Sequence, residues 1–436
     1  MSSLWTLDPA DLRRRYPFAS LVRPLVGLME NVAGLQPRYG DPRFEVGTTS
    51  LDNLTMAFPH VVTPSGIAIQ DPSLGGAGSD ADAELAWVRA VAEGAERYAT
   101  CVHMPDDFVV GSQEELGASA LDLATVPRLS EAEYADPACP LTRPDAAAPI
   151  RWVHGHSLVD DRPRLVPAIM THLYLRPWEG ETFWLPISTG VAAHTDLATA
   201  LVAAICEVIE RDAIALTWLG RLELPRIELD GELPPGLAEN LEVLRQSMVR
   251  QLFFDATTDL GIPTVYTIQL RDDDPDCGQL VDAATDFDPA VACQKTIRES
   301  AAARGVFQKR DPIPENPRDF VSLEAGARYL ASSARRGEFR FLLESRRLRP
   351  LSAMRVDAPS DGAGRLRYLI ERLRTAGMDA IAVDLTTDEI RAAGLWVVRV
   401  VIPGLLPMST VSRARYLGHP RLAGFRDINP APQPFA

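Results

Sequence analysis

The run "LATALVAAICEVIERDAIAL", residues 197–216, is apolar on nearly every side of the helix it predicts. Leu201, Val202, Ile205, Val208, Ile209, Ile214 and Leu216 surround the axis, and Thr199, Glu207, Glu210, Arg211 and Asp212 are the only polar positions. A helix apolar all round is a buried helix. Thr195 or Asp196 is its expected N-cap and Gly220 its stop. A second helical pattern covers 81–102, where Ala, Leu, Trp and Val recur between acids without a proline; it carries Glu93, Glu96 and Arg97. A third covers 288–308, with Asp288 as cap, Pro289 in the first turn, and Glu299 and Arg304 further on. A fourth is expected over 240–253.

Strand signals lie between these helices. Residues 151–175 alternate in short runs broken by turn residues. Residues 253–270 read as strand, turn, strand; 364–388 as helix, glycine, strand; and 394–404 as a buried strand interrupted by Arg399. Residues 1–60 give no clean element, and 103–150 are rich in loop residues. Two patterns occur twice. E-x-x-E-R stands at 93–97 and 207–211, and D-x-T-T-D stands at 255–259 and 384–388, each time before a β-rich run. These paired echoes predict a pseudo-repeated α/β (α+β) architecture.

Composition changes this picture little. An apolar content of 46% and a charged content of 24% describe an ordinary globular chain. The formal net charge of −15 argues against nucleic acid or an anionic membrane as a main partner, because phosphates reward a basic face. Five scattered cysteines without a C-x-x-C pair disfavour a zinc site and a disulfide framework, and Cys206 and Cys293 read as core residues. The N-terminus lacks an apolar signal region, and the apolar run 394–408 is short and broken by Arg399 and Pro403. A cytoplasmic protein without a membrane span is expected.

The chemistry lies in the acids on apolar helices. Burying a bare carboxylate costs several kcal/mol unless it is paired or binds a cation. Glu207 and Glu210 share one face, with Arg211 four residues after Glu207, and Glu93, Glu96 and Arg97 repeat the spacing. These residues read either as structural ion pairs or as a cation site. Paired carboxylates are hard oxygen ligands suited to Mg2+, which completes its shell with waters and substrate phosphates. No P-loop or dinucleotide fingerprint competes. His194 precedes the second helix and reads as a structural hydrogen-bonding group; His154 and His156 have no ligand pattern around them.

Several stretches in this order resemble the YcaO superfamily, specifically the D-protein (cyclodehydratase) branch of thiazole/oxazole-modified peptide biosynthesis. They are "LVRPLVGLMENV", "AEGAERYA", "ISTGVAAHTDLATALVAAICEVIERDAIALTW", "ACQKTIRESAAARG", "VVRVVIPGLLP", "YLGHPRL" and "NPAPQPF". The resemblance implies a YcaO-type fold in which the acidic helices converge on one nucleotide site. It divides the chain into an N-terminal segment, 1–60, and a catalytic domain, 61–436, ending in the Pro-rich tail 427–436. It implies ATP and Mg2+ as cofactors. Glu93, Glu96, Glu207 and Glu210 would hold the metal. Arg97, Arg211, Glu299 and Arg304 would join them around the nucleotide. Pro432, Pro434, Phe435 and Ala436 would bring the tail to the reacting groups.

In such enzymes a Cys, Ser or Thr side chain of a ribosomal precursor peptide attacks the preceding backbone carbonyl. ATP phosphorylates the oxyanion, and loss of phosphate leaves an azoline. The implied partners are that peptide, an E1-like leader-binding protein and a second copy of the chain. The sequence departs from the family pattern at Ala77 (usually Lys), Arg89 (usually Ser), Ala203, Ala302 and the final residues. These departures motivate a second expectation, a scaffold that binds peptide or partner without ATP turnover. Thioamide or amidine formation on the same scaffold is the third.

Overall fold

The computed structural model describes residues 3–51, 54, 58, 75–307 and 312–435. Its strands are β1 (Val32–Leu35), β2 (Glu45–Thr49), β3 (Ala77–Asp80), β4 (Val109–Gly111), β5 (Ile150–Ser157), β6 (Arg162–Pro167), β7 (Val191–His194), β8 (Arg226–Glu228), β9 (Arg250–Asp255), β10 (Thr264–Leu270), β11 (Gln279–Thr285), β12 (Leu348–Pro350), β13 (Ile381–Asp384) and β14 (Trp396–Val401). They form three sheets, ordered β1-β2-β3, β11-β10-β9-β8-β12 and β4-β5-β13-β14-β7, with β6 paired to β5. Helices pack on all three, which gives the mixed α/β fold expected.

Three helices organise the site. The first, Ala83–Ala99, is capped by Asp82 and packs on β2 and β3. The second, Leu197–Gly220, is capped by Asp196, whose side chain accepts the Thr199 N–H. Its apolar residues enter three clusters, one of them through Ala215 and Leu219. Ile205 and Ile209 pack with Val398, Val400 and Leu369, while Ile214 and Trp218 pack with Tyr266 and Phe339. Its one wholly buried acid, Asp212, accepts the Leu406 N–H and pairs with Arg421, which offsets the cost of burial. The third helix, Pro289–Val306, is capped by Asp288 with Pro289 in its first turn.

The twin D-x-T-T-D corners have the same local geometry. Asp255 ends β9 and accepts the Thr257 N–H; Asp384 ends β13 and accepts the Thr386 N–H. In each case the chain then returns as an antiparallel neighbour, β10 or β14.

Some boundaries differ from the expectation. The helix placed at 240–253 runs instead over Pro235–Arg245, and 250–255 form β9. There the cross-strand ladder from Arg250↔Leu270 to Asp255↔Val265 outweighs a local helical pattern. Gly220 does not stop the second helix; Arg221, in the left-handed conformation at φ 45°, does. The segment before residue 60 is not structureless. Asp8 caps a helix over Pro9–Arg15, and β2 pairs with β3, so this segment completes the sheet beneath the first acidic helix. Among the described residues no helix is long and apolar enough to cross a membrane, and all five cysteines are free thiols.

Candidate active site

The three helices enclose a cavity of about 790 Å³, a size that suits a nucleotide-sized ligand. Glu93, Glu96 and Arg97 line one wall, Glu207, Glu210 and Arg211 a second, and Lys295, Arg298 and Glu299 a third. The spacing explains the convergence. Each i, i+3, i+4 set lies on one helix face, and that face is the one not occupied by the apolar clusters.

Each of the four paired glutamates accepts a backbone N–H from outside its own helix. Ala77 N donates to Glu93 Oε2 at 2.8 Å, Ala193 N to Glu96 Oε1 at 2.7 Å, Gly190 N to Glu207 Oε2 at 2.9 Å, and Thr285 N to Glu210 Oε2 at 2.9 Å. Arg97 donates to Glu93 Oε1 at 2.7 Å; Arg211 lies 3.3 Å from Glu207 and 3.1 Å from Glu210. The carboxylates are therefore oriented from the backbone, and the arginines brace them.

The electrostatics are strained by crowding. Burial, and then the neighbouring Glu93, push the Glu96 carboxyl up to about 8. Burial does the same to Glu210, also to about 8, against the opposing pull of Arg211. Glu299 is raised by burial too, and Asp282 of β11 is pushed well above its ordinary value, first by burial and then by the neighbouring Glu299 and Glu210. Burial opposes the charge on Arg211, but Glu210 and Glu207 hold its pKa above the ordinary value. The carboxylates are oxygen donors of the kind a hard divalent cation takes, so such a cation fits this set.

Among the described residues, however, no group of three or more His, Cys, Asp or Glu side chains is arranged to hold a metal ion alone. The separate N–H donors keep the carboxylates apart. One or two carboxylates with phosphate oxygens completing the shell is the ordinary arrangement for Mg2+.

Not every residue singled out from the sequence reaches the cavity. Arg304 does not. It follows Glu299 by five residues, roughly 1.4 helical turns, and so points the other way. Its buried guanidinium donates to Gln269 Oε1 at 2.8 Å and to Asp41 Oδ1 at 3.4 Å. It is a core ion pair, not a phosphate contact. His194 is exposed and its Nδ1 accepts the Asp196 N–H at 2.9 Å, a cap contact.

The tail does not fray. Asn429 and Ala431 are bonded to the end of the second helix and to Arg415, and Phe435 is 2% exposed against the Tyr266 ring. Gly326 packs so closely under Gln433 that a Cβ there would meet its carbonyl at 2.3 Å. Pro432 and Gln433 border small pockets shared with Leu323 and Met408, and both of those residues also line the large cavity. Pro434 lies within the same packed stretch; Ala436 lies outside the described residues.

The cavity adds groups that the sequence did not single out as site residues. Lys295 pairs with Asp286 at 2.8 Å, Arg298 lies 3.5 Å from Asp80, and Arg365 lies over the Phe287 ring. Lys295 precedes Glu299 by four residues and shared a legible helix face with it. Arg89 is on the lining but bonded to Asp80 and to the Ser79 carbonyl.

The family model described as YcaO cyclodehydratase, ATP and Mg2+ binding, matches residues 77–406. No curated protein matches the sequence. Among solved structures, a heterocyclase in complex with substrate and cofactor superposes with TM-score 0.78 at 19% identity, over 99% of this chain and 57% of its own. YcaO from Methanopyrus kandleri, bound with AMPPCP and Mg2+, gives 0.62 at 18% identity over 92% of both chains. The E. coli microcin synthetase McbBCD complex with pro-MccB17 bound gives 0.62 at 15% identity, over 93% of this chain and 96% of that one. This chain spans 57% of the length of the first heterocyclase and likewise of the heterocyclase TruD.

Proposed function

We propose, from the premise that this chain belongs to the YcaO family of ATP- and Mg2+-binding cyclodehydratases, that it is an ATP-dependent cyclodehydratase subunit. Its substrates are Cys, Ser or Thr residues of a ribosomal precursor peptide, which it converts to azolines by phosphorylating the backbone amide. The observation that carries this reading is the pair of E-x-x-E-R faces on opposite walls of one cavity, each glutamate held by a backbone N–H.

When bound, Mg·ATP supplies the phosphoryl group and the cation that offsets its charge. Glu93, Glu96, Glu207 and Glu210 are the carboxylates that would hold Mg2+ in this reading, one or two to an ion with phosphate oxygens completing its shell. Arg97 and Arg211 keep the carboxylates from folding onto each other and present guanidinium edges to phosphate oxygens. Lys295, Arg298 and Arg365 extend the cationic lining, and Glu299 completes the third wall. Pro432, Pro434 and Phe435 seat the tail beside Leu323 and Met408, next to the cavity where the amide would react. The chain works with an E1-like leader-binding partner and as a homodimer in the cytoplasm.

Titration of Mg·ATP into the purified chain, wild type beside Glu207→Ala, tests this reading. Mg-dependent binding that the variant loses supports it. No binding, even with partner and peptide present, overturns it. The second reading, a scaffold without ATP turnover, draws on Ala77 at the β3 turn and on Arg89, whose guanidinium is engaged with Asp80. It takes the opposite outcome of the same titration.

A further inference from the structure

Among the described residues three arginines are buried in the interior: Arg271, Arg304 and Arg399. Arg271 and Arg304 both lie against Asp41. Arg399, 3% exposed, has no carboxylate partner among the described residues, and its Nε has no hydrogen-bond partner. It sits in the middle of β14, between Val397, Val398, Val400 and Val401, all buried. An uncompensated guanidinium in an aliphatic strand is costly to desolvate. Burial pulls it down to about 10, although Glu207 acts in the opposite direction, and Arg97 adds repulsion. Arg399 thus stands in the field of both acidic helices.

The one side-chain hydrogen bond it makes among the described residues shows where it acts. Arg399 Nη1 donates to the Ile187 carbonyl at 2.7 Å. Ile187, Ser188 and Thr189 line the cavity. Next comes Gly190, at φ +83°, whose N–H orients Glu207. Val400, beside Arg399, donates its N–H to the Gly190 carbonyl at 2.8 Å. A Cβ on Gly190 would lie 2.5 Å from the Val400 carbonyl oxygen. The loop is therefore fastened to β14 at two adjacent points, one of them a side chain.

We propose that Arg399 is a positioning residue for the nucleotide cavity. By holding the Ile187 carbonyl it fixes the 187–190 loop, and with it the Gly190 N–H that aims Glu207. This rests on the nucleotide reading above and assigns that site a residue behind its wall. A merely structural arginine at this position would alter melting and nothing else.

The test compares wild type, Glu207→Ala, Arg399→Met and Arg399→Lys as full chains, by Mg·ATP calorimetry, thermal unfolding and hydrogen exchange at the Gly190 amide. Arg399→Met is expected to stay folded, to exchange faster at Gly190 and to bind Mg·ATP at least about tenfold more weakly, as for other outer-shell partners of a metal site. Arg399→Lys, whose Nζ can donate to the same carbonyl, should recover most of that affinity. Arg399→Met with wild-type affinity and wild-type exchange overturns the proposal. Should that variant not fold, Arg399→Gln carries the same comparison with the same two outcomes. A wild type that binds, beside a Glu207→Ala that does not, keeps the nucleotide reading even when the Arg399 proposal fails. A wild type that never binds sinks both.

Discussion

The backbone N–H of Ala193 donates to Glu96 Oε1 at 2.7 Å, although the two residues are 97 positions apart. Three residues earlier, Gly190 N–H donates to Glu207. One short run at the edge of β7 therefore aims a carboxylate from each acidic helix. Glu96→Gln and Glu207→Ala should each weaken Mg·ATP binding beyond the roughly 100-fold upper end for outer-shell residues. Their melting points should hold or rise, because removing one carboxylate relieves a like-charged group. Calorimetry beside thermal unfolding checks both halves, and unchanged affinity in either variant counts against the metal assignment.

Arg304 gives the converse expectation. It is braced by Gln269 and Asp41 in the core, away from the cavity. Arg304→Met breaks a buried pair and should cost about 3 kcal/mol in urea denaturation. Nucleotide affinity of the folded variant should match wild type; a weakened affinity would return Arg304 to the site.

The second helix was legible because its pattern is extreme: apolar on nearly every side, with its charges confined to Glu207, Glu210, Arg211 and Asp212. The twin E-x-x-E-R faces were legible for the same reason. What aims those glutamates was not legible, because Ala77, Gly190, Ala193 and Thr285 act through main-chain N–H groups that every residue type except proline has. Arg304 misled because it carries the right charge on the right helix, and only the angular offset from Glu299 separates their faces. The strand at 250–255 was hidden because its pairing with β10 lies in another part of the chain. Prolines alone do not show where the tail 427–436 sits. The resemblance gave it a site role, and the seat that holds it depends on Tyr266, Gly326 and Trp218, each distant in sequence.

Two buried histidines set an acid limit on stability. His172 is pulled down to about 3, first by burial and then by His103, and His419 to about 4, again first by burial. Both are neutral in the fold and take a proton on unfolding near their ordinary value of 6.5. Their contribution is fully present above that value and is lost as pH falls toward the folded values. Between pH 7.5 and pH 5 each should cost about 2 kcal/mol by linkage. Glu96 and Glu210, raised to about 8, add stability as pH falls over the same interval, so the histidine share is read as a difference. Urea denaturation of His172→Phe beside wild type at the two pH values should show about 2 kcal/mol less loss toward acid in the variant; an identical pH dependence would refute the assignment.

The tail's seat can be tested from both sides. Phe435→Ala empties a packed site against Tyr266 and should cost about 3–5 kcal/mol. Gly326→Ala places a methyl where the Gln433 carbonyl lies. It should release the tail to proteolysis at 427–435 while leaving Mg·ATP affinity intact. If azoline formation persists with the tail released, the tail has no part in the chemistry.

The cavity lining carries six basic and six acidic side chains, set in a chain of net charge −15. Such a site has little long-range pull on an anion, and the surrounding surface repels one. Encounter with nucleotide should then speed up, not slow down, as added salt screens the outer field. The Mg2+-loaded nucleotide, being less negative, gains admission ahead of the free one. Selection for the metal complex thus begins at the approach, before any glutamate has made a contact.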